Sequence, residues 1–253
     1  KNFGERINHE GPKDELWALA KTFDSMIDRL ETSFERQRQF VQDASHELRT
    51  PLAAIRTNIE VTEMDPDASA EEYRSLMETV KAQTARLTHL SEDLLLLTSE
   101  DKDSVEKEAV DLPALAHEVV TQLSPLAEPR HVTLTVEAPA ELEIQTSPDL
   151  LYRCVSNLVD NAIKYSGDGS LVAIRVLAAG QSARIQVADN GHGIPAEEVG
   201  KIFNRFYRVD RGRGGRQGGS GLGLAIVQDV VEALGGRVEV QSAVGEGTAF
   251  TIT

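Results

Sequence analysis

The chain has 253 residues, with 26 Lys and Arg against 41 Asp and Glu, and therefore a formal net charge of −15. This acidic balance argues against nucleic acid as the main partner, because nucleic-acid binding needs a cationic face. The 40% hydrophobic content is typical of a folded protein, the single cysteine excludes an internal disulfide, and no apolar run reaches the roughly 18 residues that a membrane span needs.

Residues 1 to about 100 have the period of α-helices, with apolar residues three and four positions apart. A polar turn at Asp65–Asp67 interrupts this pattern and predicts two long helices in an antiparallel hairpin. Because two helices alone bury little apolar surface, we expect a homodimer in which two hairpins form a four-helix bundle. The apolar positions are Leu16, Leu19, Phe23, Ile27 and Leu30, then Phe40, Ala44, Leu48, Leu52, Ile55 and Ile59, then Tyr73, Leu76, Val80, Leu87, Leu90, Leu94 and Leu97.

The composition changes near Glu100. The charged stretch Ser99–Asp111 is predicted to be a hinge. Beyond it, segments with the strand period of two alternate with helical segments, which predicts a compact α/β domain. The predicted helices are 112–128, 148–165, 196–206 and 222–234, and the predicted strands centre on Leu134, Ile174, Val187 and Val238.

The predicted helix 148–165 carries Asn157, Asn161 and Lys164 on one face, because their offsets are four and three. Asparagine is a poor residue for a helix interior. Two amide oxygens beside an ammonium group suggest a site for Mg²⁺ and phosphate. A solvated polar face is the alternative interpretation of the same helix.

Two glycine-rich segments follow. Asp189–Gly193 comes directly after a strand, and its carboxylate could accept a hydrogen bond from an exocyclic amine such as that of adenine, although ordinary strand-to-helix turns use the same residues. Gly218–Leu224 opens a helix, whose free N–H groups suit phosphates. The segment 208–217 between them contains four arginines and is predicted to be a cationic lid.

In the first half, the segment Phe40–Leu52 stands out. His46 lies off the apolar seam and is expected to be exposed, and Pro51 removes a backbone hydrogen bond from the predicted helix beside it. An exposed histidine alone is usually an ordinary surface residue.

In this order, the segments resemble the sequence boxes of bacterial two-component sensor histidine kinases. The boxes are the H box His46–Leu52, the N box Asn157–Tyr165, the first glycine box Asp189–Gly193, the F box Phe203–Arg208, the second glycine box Gly219–Leu224 and the final Gly245–Phe250 signature. Residues 14–26 resemble the second helix of a HAMP signalling linker.

The resemblance implies three regions. Residues 1–30 would be the C-terminal part of a HAMP linker, 31–100 a dimerisation and histidine phosphotransfer domain, and 105–253 a catalytic ATP-binding domain. The last would have the α/β sandwich fold of the GHKL (Bergerat) ATPases. HAMP linkers follow a membrane helix in this family, so the resemblance implies a cytoplasmic fragment of a protein whose missing N-terminal part sits in the plasma membrane.

The resemblance also implies roles for the H box, which is expected to be the catalytic segment. His46 would be the phosphoacceptor and Glu47 would accept or orient the ring proton, with Arg49 beside them. Thr50 would serve dephosphorylation of a response regulator, the partner protein that takes the phosphoryl group from His46.

For nucleotide binding, the resemblance implies ATP with Mg²⁺. Asn157 and Asn161 would hold Mg²⁺, Lys164 and Arg208 would neutralise phosphate charge, and Asp189 would receive the adenine amine. The remaining expected nucleotide contacts are Tyr165, Gly191, Gly193, Gly219, Ser220, Gly221, Leu222, Gly223 and Thr248.

Two other functions remain open from the sequence. An ATPase of the same fold could act by conformational cycling, but it would need no exposed histidine on a dimer hairpin. A catalytically silent signalling scaffold would be favoured by loss of His46, Asn161 or Asp189, and all three are present. An acid-labile, base-stable phosphate on His46 would distinguish the kinase from both.

Overall fold

The computed structural model describes residues 6–7, 11–12, 14–98, 106–180, 182–209 and 219–253. The chain divides into two compact units, Lys1–Leu87 and Thr88–Thr253. Long helices come first and an α/β domain follows, so the predicted fold class is confirmed. None of the described helices is long and apolar enough to cross a bilayer.

Helix α1 spans Glu15–Met64 and helix α2 spans Ala70–Thr98. The Asp14 side chain caps α1 by accepting hydrogen bonds from the backbone N–H groups of Leu16 and Trp17, both at 3.1 Å. Before α2, the Glu72 carboxylate accepts from the Ser69 backbone N–H at 2.7 Å while the Ser69 hydroxyl accepts from the Glu72 N–H at 3.3 Å. This reciprocal capping box fixes where the second helix begins. It also lowers the pKa of Glu72, chiefly through the backbone hydrogen bond from Ser69.

An ion pair joins the two helices: Nη2 of Arg86 on α2 lies 3.7 Å from Oε2 of Glu47 on α1. Glu47 is 17 residues before the end of α1 (64 − 47) and Arg86 is 16 residues after the start of α2 (86 − 70). Residues at equal distances from a connecting turn meet when two helices run antiparallel, so the pair fits the predicted hairpin.

The apolar face of the first unit is largely exposed in a single copy. Ala20, Ala44 and Pro51 are buried on α1. In contrast, many large apolar side chains remain open to solvent on both helices: Leu16, Leu19, Phe23, Met26, Leu30, Phe34, Val41, Leu52, Val61, Met64, Tyr73 and Met77. Continuous apolar surface of this kind marks an interaction face.

The second unit has a five-stranded sheet in the order β2-β4-β5-β7-β6, in which β2 and β4 are parallel and the other pairs antiparallel. A separate pair joins β1 to β3. The elements are β1 (Glu108–Asp111), α3 (Leu112–Ala127), β2 (Thr133–Glu137), β3 (Glu143–Thr146), α4 (Pro148–Tyr165), β4 (Leu171–Ala179), β5 (Ser182–Asp189), α5 (Ala196–Val199), α6 (Gly223–Ala233), β6 (Val238–Ala243) and β7 (Gly247–Ile252).

The core of this unit lies between the sheet and helices α3, α4 and α6. It is aliphatic, with Leu158, Ile174, Val187 and Ile226 at most 1% exposed. One row of paired residues crosses all five strands and is polar throughout: Glu137, Arg175, Gln186, Thr251 and Glu239. The alternation along each strand therefore separates the core from a polar row.

Three predictions are corrected by the structure. The predicted helix 196–206 is helical over Ala196–Val199 and continues as turns, because Gly200 follows and Phe206 has a left-handed φ of 61°. The end of the predicted hinge forms strand β1, and the chain returns as β3 to pair with it. Residues 99–105 of that hinge lie outside the described residues.

Candidate functional site

Helix α4 presents one polar and one buried face. Asn157, Asn161 and Lys164 share the half-buried side, while Cys154, Val155, Leu158, Val159, Ala162 and Ile163 fill the core. The helix forms here because Ser147 caps it, its hydroxyl accepting from the Leu150 N–H at 3.5 Å, and Pro148 occupies the first turn. The close packing of the buried face fixes the helix, and with it the direction of the polar side chains.

The start of α6 lies directly against this polar face. A Cβ on Gly223 would lie 3.5 Å from Oδ1 of Asn157 and 3.8 Å from Nδ2 of Asn161. One on Gly219 would lie 3.9 Å from Nζ of Lys164. The structure therefore brings the amides and the ammonium group to the second glycine box, as the sequence predicted for a single site.

The N-terminus of α6 has no side-chain cap, so its first backbone N–H groups remain available to an anion. The Ser220 hydroxyl accepts a hydrogen bond from the Leu222 N–H at 3.3 Å, just before the helix begins. The side chain of Leu222 is fully buried, so its predicted contact with a nucleotide is limited to its backbone.

Gly221 joins the second glycine box to the F box. Its carbonyl accepts a hydrogen bond from the Phe206 N–H at 2.8 Å, and its φ is +72°. A Cβ at this position would lie 2.8 Å from the carbonyl carbon of Phe206. Glycine is required by both the backbone angle and this close approach. Arg208 is half-buried two residues after Phe206, at the edge of the described segment.

Asp189 ends β5 at the first glycine box. Its Oδ1 accepts from the Gly191 N–H at 2.8 Å. Burial raises the pKa of Asp189, while backbone hydrogen bonds from Gly191 and Thr248 and the nearby His192 act to lower it. The carboxyl group is therefore partly desolvated but still held by backbone donors, as expected for a buried acceptor of a ligand hydrogen bond.

The first glycine box packs tightly on the end of α4. A Cβ on Gly191 would lie 2.3 Å from Cα of Ser166, so a side chain there would displace the backbone. His192 Nδ1 is 3.0 Å from the carbonyl oxygen of Tyr165, which requires the nitrogen to be the protonated donor. The Tyr165 side chain is 54% exposed and free of the core, and Asp189 and Tyr165 thus flank one edge of the site.

Ser242 on β6 was not predicted from the sequence. Its hydroxyl accepts from the Ile194 N–H at 2.8 Å, donates to the Gly247 carbonyl at 2.9 Å and lies 2.8 Å from the hydroxyl of buried Thr248. It thus ties the loop after Gly193 to β7. A lone serine in a strand carries no sequence signal for this role, which depends on the pairing of β6 with β7.

Mg²⁺ prefers oxygen ligands and is commonly bound by few protein groups together with nucleotide phosphates. Among the described residues, no group of three or more His, Cys, Asp or Glu could hold a metal ion. The buried Nδ2 of Asn157 has no hydrogen-bond partner within that part of the chain. Because amide nitrogen and oxygen are assigned rather than observed, a flip would turn a free oxygen to this position, so the α4 amides fit a Mg²⁺–phosphate site. Lys164 forms an ion pair with Asp160 one turn earlier.

The H box lies on α1, in the first unit. His46, Arg49 and Thr50 are exposed and Glu47 is half-buried. The Thr50 hydroxyl donates to the His46 carbonyl at 3.2 Å. Arg86, the ion-pair partner of Glu47, was missed from the sequence, although counting equal distances from the Asp65–Asp67 turn would have identified it.

Two family models match the chain. The His Kinase A (phospho-acceptor) domain matches residues 36–103, and the histidine kinase-, DNA gyrase B- and HSP90-like ATPase matches residues 146–253. The first match contains the H box. The second contains the N box, both glycine boxes and the F box.

Similar proteins carry the same assignment. Sensor protein CutS of Streptomyces coelicolor is 39% identical over 254 residues, covering 100% of this chain and 61% of CutS. The histidine-protein kinase ArlS of Staphylococcus aureus is 35% identical over 245 residues, covering 94% of this chain and 53% of ArlS. The structure of ShkA in complex with AMPPNP is 26% identical with a TM-score of 0.62, covering 85% of this chain and 45% of ShkA.

The chain therefore spans little more than half the length of these curated relatives. Both matched domains, their order along the chain and the site geometry agree with the relatives' names. The chain belongs to the sensor histidine kinases of two-component systems.

Proposed function

We propose that this chain binds ATP with Mg²⁺, phosphorylates its own His46 and passes the phosphoryl group to an aspartate of a response regulator. The observation that carries the nucleotide part is the polar face of α4 against the uncapped start of α6. The phosphoacceptor part rests on exposed His46 in the H box and on the match to the phospho-acceptor domain.

In the nucleotide site, Asp189 accepts a hydrogen bond from the adenine amine and Tyr165 packs beside the base or ribose. The backbone of Gly219–Gly223 and the start of α6 bind the phosphates, with Gly191, Gly193 and Thr248 shaping the adenine side. Lys164 and Arg208 offset phosphate charge. Mg²⁺, held by Asn157 and Asn161, would neutralise charge on the phosphates. The complex of ShkA with AMPPNP supports nucleotide binding by this fold.

At the H box, a ring nitrogen of His46 attacks the γ-phosphorus of ATP. A nitrogen–phosphorus bond forms, the bond from the γ-phosphorus to the bridging oxygen breaks, and ADP leaves with that oxygen. Glu47 takes the proton from the other ring nitrogen. A neutral imidazole is available as the nucleophile near pH 7. Positioning and charge stabilisation dominate phosphoryl transfer, so residues around the ring matter more than covalent chemistry.

The family supports three further parts of the proposal. Two hairpins associate through their exposed apolar faces as a homodimer. Arg49 and Thr50, exposed beside His46, contact the response regulator, and Thr50 orients water for its dephosphorylation. The chain is the cytoplasmic part of a longer sensor in the plasma membrane, and the greater length of CutS and ArlS supports this.

The test is incubation of the whole chain with γ-labelled ATP and Mg²⁺, comparing wild type, His46→Gln and His89→Gln. His89 is an exposed histidine on α2 outside the H box and serves as the matched control. We expect acid-labile, base-stable label on wild type and His89→Gln and none on His46→Gln, which should still bind ATP. Label that survives His46→Gln would exclude His46 as the acceptor. ATP hydrolysis with no label on any variant would favour the conformational ATPase.

A further inference from the structure

The ion pair between Glu47 and Arg86 lies beside the proposed phosphoacceptor. The two side chains are 30% and 39% exposed, and 3.7 Å separates Oε2 of Glu47 from Nη2 of Arg86. Glu47 follows His46 directly in the chain. The guanidinium of α2 is thus the neighbour of the carboxylate that the proposed reaction uses as its proton acceptor.

The register of the hairpin places Arg86 there. Helix α1 has 17 residues between Glu47 and its end, and α2 has 16 between its start and Arg86. Arg86 therefore reaches Glu47 as a consequence of both helix lengths, and a shift by one residue in either helix would turn its side chain by about 100°.

The chemistry requires the carboxylate of Glu47 to keep one oxygen turned toward the His46 ring. Arg86 lies nearest Oε2, which leaves Oε1 for the ring N–H. Guanidinium remains positively charged throughout the accessible pH range, and its rigid donor fork limits how a paired carboxylate can rotate. Its charge also offsets the negative charge that approaches His46 with the γ-phosphate.

We propose that Arg86 is a positioning residue for phosphoryl transfer at His46, acting through the carboxylate of Glu47. The assignment rests on the proposed function and adds a residue from the second helix to the H box. Arg86 does not contact ATP in this role. Its loss is therefore expected to lower the rate of transfer and leave nucleotide binding unchanged.

A purely structural ion pair would behave differently. Exposed pairs contribute little to stability, so losing such a pair would leave the rate of transfer almost unchanged. A pair needed to hold the hairpin together would lower helix content and rate in parallel. A positioning pair lowers the rate while the helices stay intact.

The experiment measures the autophosphorylation rate of the whole chain at saturating Mg²⁺-ATP, together with KM for ATP and helix content by circular dichroism. Arg86→Gln is expected to lower the rate about tenfold, a fraction of the 10²–10⁴-fold that a proton acceptor contributes. KM and helix content should not change, and Arg86→Lys should recover part of the rate. Arg74→Gln, an exposed arginine on the same helix, is the matched control and should match wild type.

A double-mutant cycle with Glu47→Gln completes the test. If Arg86 acts through Glu47, then Arg86→Gln should have almost no further effect once Glu47 is replaced. An unchanged rate for Arg86→Gln, or effects that simply multiply in the double variant, would overturn the assignment. A wild-type chain that binds ATP but takes no label would instead refute the proposed function itself.

Discussion

The two units bury apolar surface in opposite ways. The second unit packs Leu158, Ile174 and Val187 to at most 1% exposure within one chain. The first unit leaves Leu16, Leu52 and other large side chains more than half exposed along two long helices. An α/β domain completes its core alone, whereas a two-helix hairpin needs a second copy. The nucleotide unit should therefore be stable by itself, and the phosphoacceptor unit should depend on association.

The largest expected effect is in the core of the second unit. Leu158→Ala should lower its free energy of unfolding by about 2–5 kcal/mol, because a cavity replaces a fully buried side chain. Cys154 on the same helix is the readout: burial raises the pKa of this thiol to about 12, so it should react with alkylating reagents when the unit unfolds. Leu177→Ala, at a half-exposed position on β4, should cost less than about 0.5 kcal/mol. Equal losses in the two variants would contradict this account of the core.

An intermediate effect is expected at the exposed apolar face of the first unit. Leu52→Asp should raise the dissociation constant of the homodimer roughly tenfold to a hundredfold, because the dimer would bury a charge where leucine stood. Sedimentation equilibrium over a range of concentrations measures this, with Leu177→Asp in the second unit as the control. A wild-type chain that stays monomeric at every concentration would show that the hairpin does not need a second copy.

The smallest expected effect is the pH dependence of adenine recognition. Burial raises the pKa of Asp189 above its ordinary value of 3.8, so this carboxylate gains its proton at a higher pH than an exposed aspartate. A protonated group accepts the adenine amine poorly, and affinity for ATP should fall several-fold as the pH drops from about 7.5 toward 5.

The sign is opposite for the fold. A carboxyl group with a raised pKa in the folded state binds its proton more tightly there than in the unfolded chain, so its protonation favours folding while it weakens binding. Asp189→Asn isolates the effect, because ionisation of the ATP phosphates is common to both proteins. The ratio of the two dissociation constants should narrow as the pH falls, and a constant ratio would exclude Asp189 as the titrating group.

Local sequence signals were sufficient for some elements. Helix 148–165 was predicted with the bounds observed, because Ser147 and Pro148 mark its start. The predicted helix 222–234 differs from Gly223–Ala233 by one residue at each end, since Gly235 and Gly236 mark its end. Strands β1 and β3 were missed because each has four residues and one buried side chain, too few to show a period.

Longer-range geometry explains what the sequence left out. Val199, Ile202, Phe203 and Phe206 have helical spacing, but they follow a chain of turns in which Phe203 packs edge-on against Phe250 of β7 at 6.3 Å. The approach of α4 to the second glycine box was expected from the family resemblance alone. Ser242 and Arg86 depend on strand pairing and on hairpin register, which no local pattern encodes.

The near-equal helix lengths on either side of the Asp65–Asp67 turn limit how this hairpin can change in evolution. One residue inserted between Glu47 and Met64 would move Glu47 by 1.5 Å along the helix axis and rotate it by about 100°. The contact with Arg86 would then be lost unless α2 gained a matching residue. Insertions and deletions in the two helices should therefore occur in pairs of equal length, whereas the connecting turn can vary freely without disturbing the residues beside His46.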